Sequence, residues 1–151
     1  MQTIHFHGVD QDGAPISLED YRGSWLALYF YPKDDTPGCT AQACNLRDNF
    51  EELKKQGVKI VGVSLDSVDS HKHFEQKYKL PFRLIADHDR RLSTQMGVYK
   101  WRFGFNFFPY KWIQRTTVIL NPKGEEVGRI EKVDTAHHAA QILEFLKPHL
   151  S

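Results

Sequence analysis

The side chains with the clearest chemical potential are the two cysteines, Cys39 and Cys44. Thr36 is a residue type that begins helices, and Pro37 suits the first helical position, where an N–H would have no intrahelical partner. Cys39 is therefore expected in the first turn of a helix. Free backbone N–H groups and the positive end of the helix dipole favour a thiolate there. Position alone leaves two alternatives open, a reactive thiol and a small buried hydrophobe.

Cys44 follows Cys39 in the same predicted helix. In an ideal helix this separation gives about 7.5 Å of rise and a rotation of about 140°, so the two Cα atoms lie roughly 8–9 Å apart. A disulfide requires Cα atoms within about 7 Å, so the two thiols cannot bond while the helix is intact. Cys44 is therefore either an inert thiol or a partner that Cys39 reaches only after the first helical turns unwind.

The segments on either side of this helix are predicted strands. Residues 24–31 and 58–65 are almost continuously apolar, as expected of strands covered on both faces. With the helix between them, they form a predicted βαβ unit. The helix is expected to end near Gly57. Its apolar residues recur every three or four positions and so define one buried face: Cys39, Ala43, Leu46, Phe50 and Leu53.

The rest of the chain alternates between predicted strands and helices. The pattern predicts a hairpin over residues 2–18, a helix over 66–79, a strand over 82–86, a short helix over 89–95 and a hairpin over 115–131. Thr135 is expected to cap the last helix, whose apolar side would carry Ala136, Ala140, Leu143 and Leu146. No repeat or linker interrupts these elements. We therefore expect one domain over residues 1–151, of the α/β class, with a mixed sheet flanked by helices.

Composition and charge limit the classes of function. The chain has 151 residues, 40% hydrophobic residues and a formal net charge of +1, which indicate neither a nucleic acid nor a membrane surface as partner. No apolar run approaches the roughly 18 residues of a membrane span and no signal peptide opens the sequence, so we expect a cytoplasmic protein. Two cysteines in such a protein favour redox chemistry or metal binding over a structural disulfide.

The eight histidines are candidate metal ligands. His5 and His7 would share one strand face, but His71 and His73 would point away from each other on a helix. The cysteine spacing does not match a closed zinc site. We therefore expect no bound metal.

The motif Pro32-x-x-x-Thr36-x-x-Cys39, with Cys44 after it, resembles the active-site signature of peroxiredoxins. With this second cysteine it is similar to the bacterioferritin comigratory protein, or Q-type, branch, and the similarity covers nearly the whole chain. The sequence departs from the pattern at Gln42, where many relatives have glutamate, and the usual lead-in before the first strand is mostly absent. The resemblance implies a thioredoxin-like fold in its peroxiredoxin form.

The resemblance also implies a role for each matching residue. Cys39 would attack the hydroperoxide, and Cys44 would condense with the resulting sulfenic acid. Thr36 would accept a hydrogen bond from the peroxide and donate one to the thiolate, and Pro32 would shield the thiolate from water. Arg115 matches the distant arginine of the family, whose guanidinium would stabilise the thiolate and the breaking O–O bond. Without the resemblance, these last three residues are a helix cap, a strand end and an exposed arginine.

The function implied is that of a hydroperoxide reductase recycled by a dithiol such as thioredoxin. It would need no metal, haem or flavin, and we expect a monomer without nucleic-acid or membrane partners. Two alternatives remain: a peroxide-responsive redox sensor that acts through a partner, and a thioredoxin-type disulfide oxidoreductase. The second is disfavoured because that chemistry uses a Cys-x-x-Cys pair.

Residues 99–112 contain eight aromatic side chains, of which the first five alternate with Lys100, Arg102, Gly104 and Asn106. This alternation predicts an extended segment with one apolar face. The preferred interpretation is that this face packs over the sheet. The other interpretation is an apolar surface near the active site that receives bulky hydroperoxides, a partner or a second subunit.

Overall fold

The computed structural model describes residues 2–150 of the chain. Its strands are β1 (His7–Val9), β2 (Pro15–Ser17), β3 (Trp25–Phe30), β4 (Val58–Ser64), β5 (Arg83–Ala86), β6 (Tyr99–Phe103), β7 (Pro109–Ile113), β8 (Thr116–Leu120) and β9 (Glu126–Ile130). Its helices are α1 (Pro37–Asp48), α2 (Phe50–Lys55), α3 (Val68–Tyr78), α4 (Arg91–Gln95) and α5 (His138–Leu150), and a short 3-10 helix spans Leu18–Tyr21. Within residues 2–150, no helix is long and apolar enough to cross a bilayer.

The central sheet is mixed, with the strand order β5-β4-β3-β8-β9. β4 runs parallel to β3 and β5, whereas β8 pairs antiparallel with β3 and β9. α1 and α2 form the crossover between β3 and β4, as the predicted βαβ unit requires. The predicted hairpins β1–β2 and β8–β9 are also present. The expected α/β class and mixed sheet are therefore confirmed, and β3 lies at the centre of the sheet.

β3 is buried on both faces, as its continuous apolar sequence predicts. Ala27 and Tyr29 pack in one cluster with residues of α1, α2 and α5. Leu26, Leu28 and Phe30 pack in a second cluster with residues of β2 and α4 on the opposite face. Successive side chains of a strand point to opposite faces, so the residues of β3 belong alternately to the first and the second cluster. The carboxyl end of β3, from which the chain enters α1, is thereby fixed from both sides.

The prediction of a single helix over residues 37–57 is wrong, because the helix breaks at Asn49 into α1 and α2. The side chain of Asn49 donates from Nδ2 to the carbonyl oxygen of Asn45 at 2.8 Å, and its backbone lies outside the helical range, at φ −110° and ψ 14°. A side-chain amide bonded to nearby backbone competes with the helical ladder. The break still leaves Leu46 and Leu53 fully buried in the same cluster.

The last helix begins later than predicted, at His138 rather than directly after Thr135. The preceding turn is held by Asp134, whose carboxylate accepts from the backbone N–H of Ala136 at 3.1 Å. In the first turn of α5, the N–H of Ala139 donates to the side-chain oxygen of Asn45, which belongs to α1. The start of α5 is therefore fixed by a contact that is distant in sequence.

The buried face of α5 also differs from the prediction. Ala136 and Ala140 are exposed and Leu143 is half-buried, so of the four expected residues only Leu146 is buried. The buried positions are instead His138, Ala139, Ile142 and Leu146, a face rotated from the predicted one. This rotation brings a polar side chain, His138, against the sheet.

The aromatic segment forms a separate hairpin, in which β6 pairs antiparallel with β7. The preferred interpretation, an apolar face packed over the sheet, is wrong: Trp101 and Phe103 are 65% and 74% exposed. Only the base of the hairpin is buried, at Val98 and Ile113. The alternation of aromatic and polar residues does mark a strand, but this strand, β6, pairs with β7 and not with the central sheet.

Candidate active site

Cys39 lies in the first turn of α1, which begins shortly after the carboxyl end of β3. Thr36 has extended backbone and occupies the N-cap position, and Pro37 is the first helical residue, both as predicted. The thiol is 1% exposed, so the surrounding protein excludes most water from it. Burial and an early helical position together favour specific polar partners for the sulfur over hydration.

Arg115 is the polar partner of this sulfur. It directly precedes β8, and the antiparallel pairing of Thr116 with Phe30 brings it beside the end of β3. Its Nη2 donates to Cys39 Sγ at 3.3 Å. A side chain on Gly38 would place its Cβ only 3.1 Å from Arg115 Nη2, so glycine permits this close approach. A guanidinium in this position stabilises negative charge on the sulfur.

Gln42 is a site residue whose role the sequence did not reveal. It is fully buried one helical turn after Cys39, and its Oε1 accepts a hydrogen bond of 2.7 Å from Arg115 Nη1. Arg115 is therefore held at two nitrogens, by the amide oxygen and by the sulfur. An amide orients the guanidinium without adding a second negative charge near the thiolate, which a carboxylate would do. The spacing of three residues from Cys39, which puts both side chains on one side of the helix, is the signal that could have pointed to this position.

Thr36 and Pro32 lie in the loop that connects β3 to α1, and both are half-buried. The hydroxyl of Thr36 donates to the carbonyl oxygen of Lys33 at 2.9 Å, and its side chain makes no capping hydrogen bond to α1. The expected side-chain cap is therefore absent, although the residue stands at the capping position. The single proton of this hydroxyl is used on Lys33, so the donation to the thiolate that the resemblance implies is not made in this structure, while Oγ1 can still accept.

The same loop is anchored by a buried network around Asp34. The carboxylate of Asp34 is bonded to Tyr31 Oη, to Ser70 Oγ at 2.8 Å and to His71 Nδ1 at 2.7 Å. The backbone N–H of Asp34 donates to Asp66 Oδ2 at 2.8 Å. These bonds join the loop to α3 and to the end of β4, and they hold fixed the segment that delivers Thr36 and Cys39.

This network also explains a group of residues that could otherwise suggest a metal. Asp34, Asp66 and His71 have oxygen or nitrogen atoms within 4.8 Å of one another. The second ring nitrogen of His71, Nε2, bonds to the carbonyl oxygen of Ile85 at 2.9 Å. The carboxylate of Asp66 accepts from Ser64 Oγ at 2.6 Å as well as from Asp34. Hydrogen bonding within the protein accounts for the cluster without a metal ion.

A second buried histidine supports the strand that carries Arg115. His138 Nδ1 bonds to Gln141 Oε1 at 2.8 Å, and His138 Nε2 bonds to Thr117 Oγ1 at 2.7 Å. The oxygen of Gln141 can only accept, so Nδ1 carries the proton and Nε2 accepts from the threonine. Burial lowers the pKa of His138 below its ordinary value of 6.5, and the charge of nearby Arg115 lowers it further. The imidazole is therefore mostly neutral in the folded protein at pH 7 and above.

We expect this histidine to make folding stability depend on pH. The unfolded chain protonates His138 near pH 6.5, whereas the folded protein does so only at lower pH, so the unfolded state binds more protons in between. The free energy of unfolding should therefore fall as pH decreases below about 7, by at most about 1.4 kcal/mol per pH unit from this residue. Denaturant unfolding between pH 7.5 and 5.5 measures the slope. His138→Gln should flatten it, and an unchanged slope would contradict the assignment.

An open cleft leads from the surface to Arg115. Its volume is about 700 Å³, and it is lined by residues 100–103 of β6, by residues 131–133 after β9, and by Gln114 and Arg115. Arg115, whose guanidinium contacts Cys39, therefore also lines a space large enough for a substrate. The aromatic hairpin forms one wall of this approach.

Comparison with known proteins agrees with this geometry. Residues 2–126 match the model of the AhpC/TSA family. The chain is 45% identical to the putative peroxiredoxin bcp of Coxiella burnetii, over 87% of each chain, and 39% identical to peroxiredoxin Bcp of Escherichia coli K12, over 93% of this chain and 89% of that one. A structure of Xanthomonas campestris peroxiredoxin Q superposes with a TM-score of 0.90 at 37% identity, covering 97% of this chain and 92% of the other. The implied thioredoxin-like peroxiredoxin fold is confirmed. The chain therefore belongs to the AhpC/TSA family, in its Bcp and peroxiredoxin Q branch, and is a thiol-dependent peroxidase.

Proposed function

We propose that Cys39 is the residue with which this peroxidase reduces hydroperoxides. The observation that carries the proposal is the 3.3 Å contact between Arg115 Nη2 and Cys39 Sγ in the first turn of α1. A buried thiolate needs a compensating charge, and the guanidinium supplies it. Among the described residues, Cys44 is the other cysteine, and it lies in the same helix.

The reaction begins with attack of the Cys39 thiolate on the terminal oxygen of a hydroperoxide. An S–O bond forms while the O–O bond breaks, and the leaving oxygen takes a proton and departs as water or an alcohol. The sulfur is oxidised by two electrons to a sulfenic acid. Negative charge develops on the leaving oxygen in the transition state, and in this proposal Arg115 donates to that oxygen as well as to the sulfur.

Cys44 then resolves the sulfenic acid. Its thiol condenses with the oxidised Cys39, releases water and forms an intramolecular disulfide. Both cysteines are free and α1 is continuous between them, so the bond requires the helix to unwind from Pro37 through Cys44. The broken helical hydrogen bonds cost about 1 kcal/mol each, and the new covalent bond offsets them.

Asn45 limits how far this unwinding extends. Its side chain donates to the carbonyl oxygen of Ala136 at 2.9 Å and accepts from the N–H of Ala139 at 2.8 Å, which ties α1 to the start of α5. The next residue, Leu46, is fully buried. The part of α1 after Cys44 therefore stays attached while the earlier turns are released.

A dithiol reductant completes the cycle. It attacks the disulfide, passes through a mixed disulfide and leaves both cysteines reduced, and we propose thioredoxin as this reductant. Sulfur carries the change of oxidation state, so the cycle calls for no metal or flavin. A cytoplasmic location, a monomeric state and a single domain over the whole chain stay predictions.

Steady-state kinetics test the proposed function. With thioredoxin, thioredoxin reductase and NADPH, the protein should consume many equivalents of hydrogen peroxide. A protein that reacts once and is not recycled is a redox sensor. Reduction of insulin disulfides without peroxide consumption would identify a disulfide oxidoreductase instead.

We expect Cys44→Ser to react once with peroxide and then stall. The first step uses Cys39 and Arg115, which the substitution leaves in place, but no thiol in the helix can condense with the sulfenic acid. Stopped-flow kinetics should show a first step within about twofold of the wild type, because an uncharged side chain five helical positions away is replaced by another. Intact mass should show one added oxygen or a mixed disulfide. Normal recycling with thioredoxin would exclude Cys44 as the resolving residue.

A further inference from the structure

The hairpin β6–β7 exposes an unusual amount of apolar surface. Seven aromatic side chains have exposed fractions between 37% and 101%: Trp101, Phe103, Phe105, Phe107, Phe108, Tyr110 and Trp112. Phe105, Phe107 and Phe108 form the tip, in the turn between the strands. Contiguous exposed patches of this kind mark contact surfaces rather than ordinary protein surface.

The exposed rings occupy both faces of the hairpin. The register places Trp101 opposite Lys111 on one face, and Tyr110 opposite Arg102 on the other. A partner protein that docks against one face would leave the aromatic side chains of the second face in water. A medium that surrounds the hairpin on all sides covers both faces, and a lipid interface is such a medium.

The charges of the hairpin favour an anionic surface. Residues 99–112 contain Lys100, Arg102 and Lys111 and no acidic residue, although the whole chain has a net charge of only +1. Lys111 Nζ lies 5.5 Å from the centre of the Trp101 ring, and the Arg102 guanidinium lies 5.2 Å from that of Trp112. Each face thus pairs an aromatic ring with a cation. A second copy of the hairpin would bring three further positive charges against these.

The base of the hairpin is held firmly to the rest of the protein. Val98 and Ile113 are buried in the core, and the N–H of Gln114 donates to the carbonyl oxygen of Val98 at 2.8 Å. Arg90 Nε donates to Tyr99 Oη at 3.1 Å. Whatever binds the tip therefore acquires a fixed orientation relative to the sheet.

We propose that this hairpin docks the protein on anionic phospholipid membranes. The phenylalanines of the tip enter the acyl region, the tryptophan and tyrosine rings lie at the interface, and Lys100, Arg102 and Lys111 pair with lipid phosphates. The sequence-based expectation of no membrane partner used the net charge, which conceals the local concentration of cations.

Docking would also select a class of substrate. Residues 100–103 of β6 and Arg115 line the same cleft, so the space beside Arg115 is bounded by the strand that leads to the inserted tip. Hydroperoxides of phospholipid acyl chains would then be presented to the site by the membrane itself. This step rests on the proposed peroxidase function, whereas docking does not.

Vesicle binding tests the docking. The protein should sediment with vesicles of phosphatidylcholine and phosphatidylglycerol, and bind vesicles of phosphatidylcholine alone at least about tenfold more weakly, since each cation contributes roughly fivefold at an anionic surface. Binding should weaken at about 1 M NaCl, where the Debye length is about 3 Å. The fluorescence emission of Trp101 and Trp112 should shift to the blue on binding. The emission of the third tryptophan, Trp25, should not change, because Trp25 packs on the core.

Two variants and their controls locate the surface. The triple change Phe105→Ser, Phe107→Ser and Phe108→Ser should weaken vesicle binding by about tenfold or more, because it removes most of the apolar area that enters the bilayer. Lys111→Gln should weaken it about fivefold. Val9→Ser, an exposed apolar residue elsewhere, and Lys54→Gln, an exposed lysine on α2, should leave binding unchanged.

Two activity measurements separate the outcomes. The triple variant should keep its turnover of hydrogen peroxide and lose about tenfold or more of its rate on phospholipid hydroperoxides in anionic vesicles. Equal vesicle binding by the triple variant and the wild type would overturn the proposal, as would a dimer that dissociates on this change without any binding to lipid. A wild type that binds vesicles through the hairpin but consumes no peroxide would overturn the proposed function and leave docking intact.

Discussion

Cys39→Ser is expected to abolish peroxide turnover. A serine hydroxyl is not ionised near neutral pH, and it cannot pass through the sulfenic acid and disulfide states that carry the electrons. The loss should be on the order of 10⁶, the scale seen when a hydrolase loses its nucleophile, and in practice activity should fall to the uncatalysed background. Peroxide consumption with the complete thioredoxin system measures this.

Cys44→Ser provides the matched control for this experiment, because it removes the other thiol of the same helix. The two variants should separate in a single-turnover experiment: Cys44→Ser consumes about one equivalent of peroxide, and Cys39→Ser consumes none. Amide exchange of α1 should remain slow in Cys39→Ser, since serine is close to cysteine in size and the buried residues Ala43 and Leu46 of the same helix are unchanged. Appreciable turnover by a folded Cys39→Ser protein would overturn the assignment of the nucleophile.

The central part of the fold was predictable because its signals are local. The continuous apolar runs gave β3 and β4 with bounds close to those observed, and Thr36 with Pro37 marked the first residue of α1. These patterns reflect burial on both faces of a strand and the missing N–H of proline. Neither depends on residues far away in the sequence.

The elements that were predicted wrongly depend on specific hydrogen bonds and strand pairings that the periodicity of the sequence does not contain. Asn45 fixes the start of α5 from another helix, and no pattern within residues 134–150 contains that information. The break at Asn49 follows from a side-chain bond that competes with the helix. The alternation in residues 99–103 was detected, but periodicity cannot distinguish packing on the sheet from pairing with β7.

The candidate site divides in the same way. Pro32, Thr36 and Cys39 lie close together in the sequence, so their motif was visible as a unit. Arg115 was found only through the family resemblance, because strand pairing rather than sequence spacing brings it to Cys39. The role of Gln42 required the position of the arginine. Buried polar partners of this kind are identified only when both partners are located in space.

Arg115→Met should slow the first reaction with peroxide by about 10²–10³, the usual effect of removing one donor to a developing oxyanion. Methionine keeps much of the volume of arginine but provides no charge and no N–H group. The thiolate would lose the contact at 3.3 Å, and Gln42 Oε1 would lose its partner inside the protein. Stopped-flow measurement of Cys39 oxidation follows this step without contributions from recycling.

Two further variants distinguish charge from geometry at Arg115. Arg115→Lys retains the charge, but an ammonium cannot hold the planar geometry that lets one guanidinium bond Gln42 and Cys39 together, so its rate should fall between those of the wild type and Arg115→Met. Arg91→Met removes an exposed arginine whose nearest carboxylate, that of Asp89, is 3.8 Å away, and its rate should match the wild type. If Cys39 is oxidised at the wild-type rate in both Arg115→Met and Arg91→Met, the guanidinium of Arg115 has no part in the attack. If lysine restores the full rate, Arg115 contributes charge alone, and the hydrogen bond to Gln42 serves only to hold the side chain.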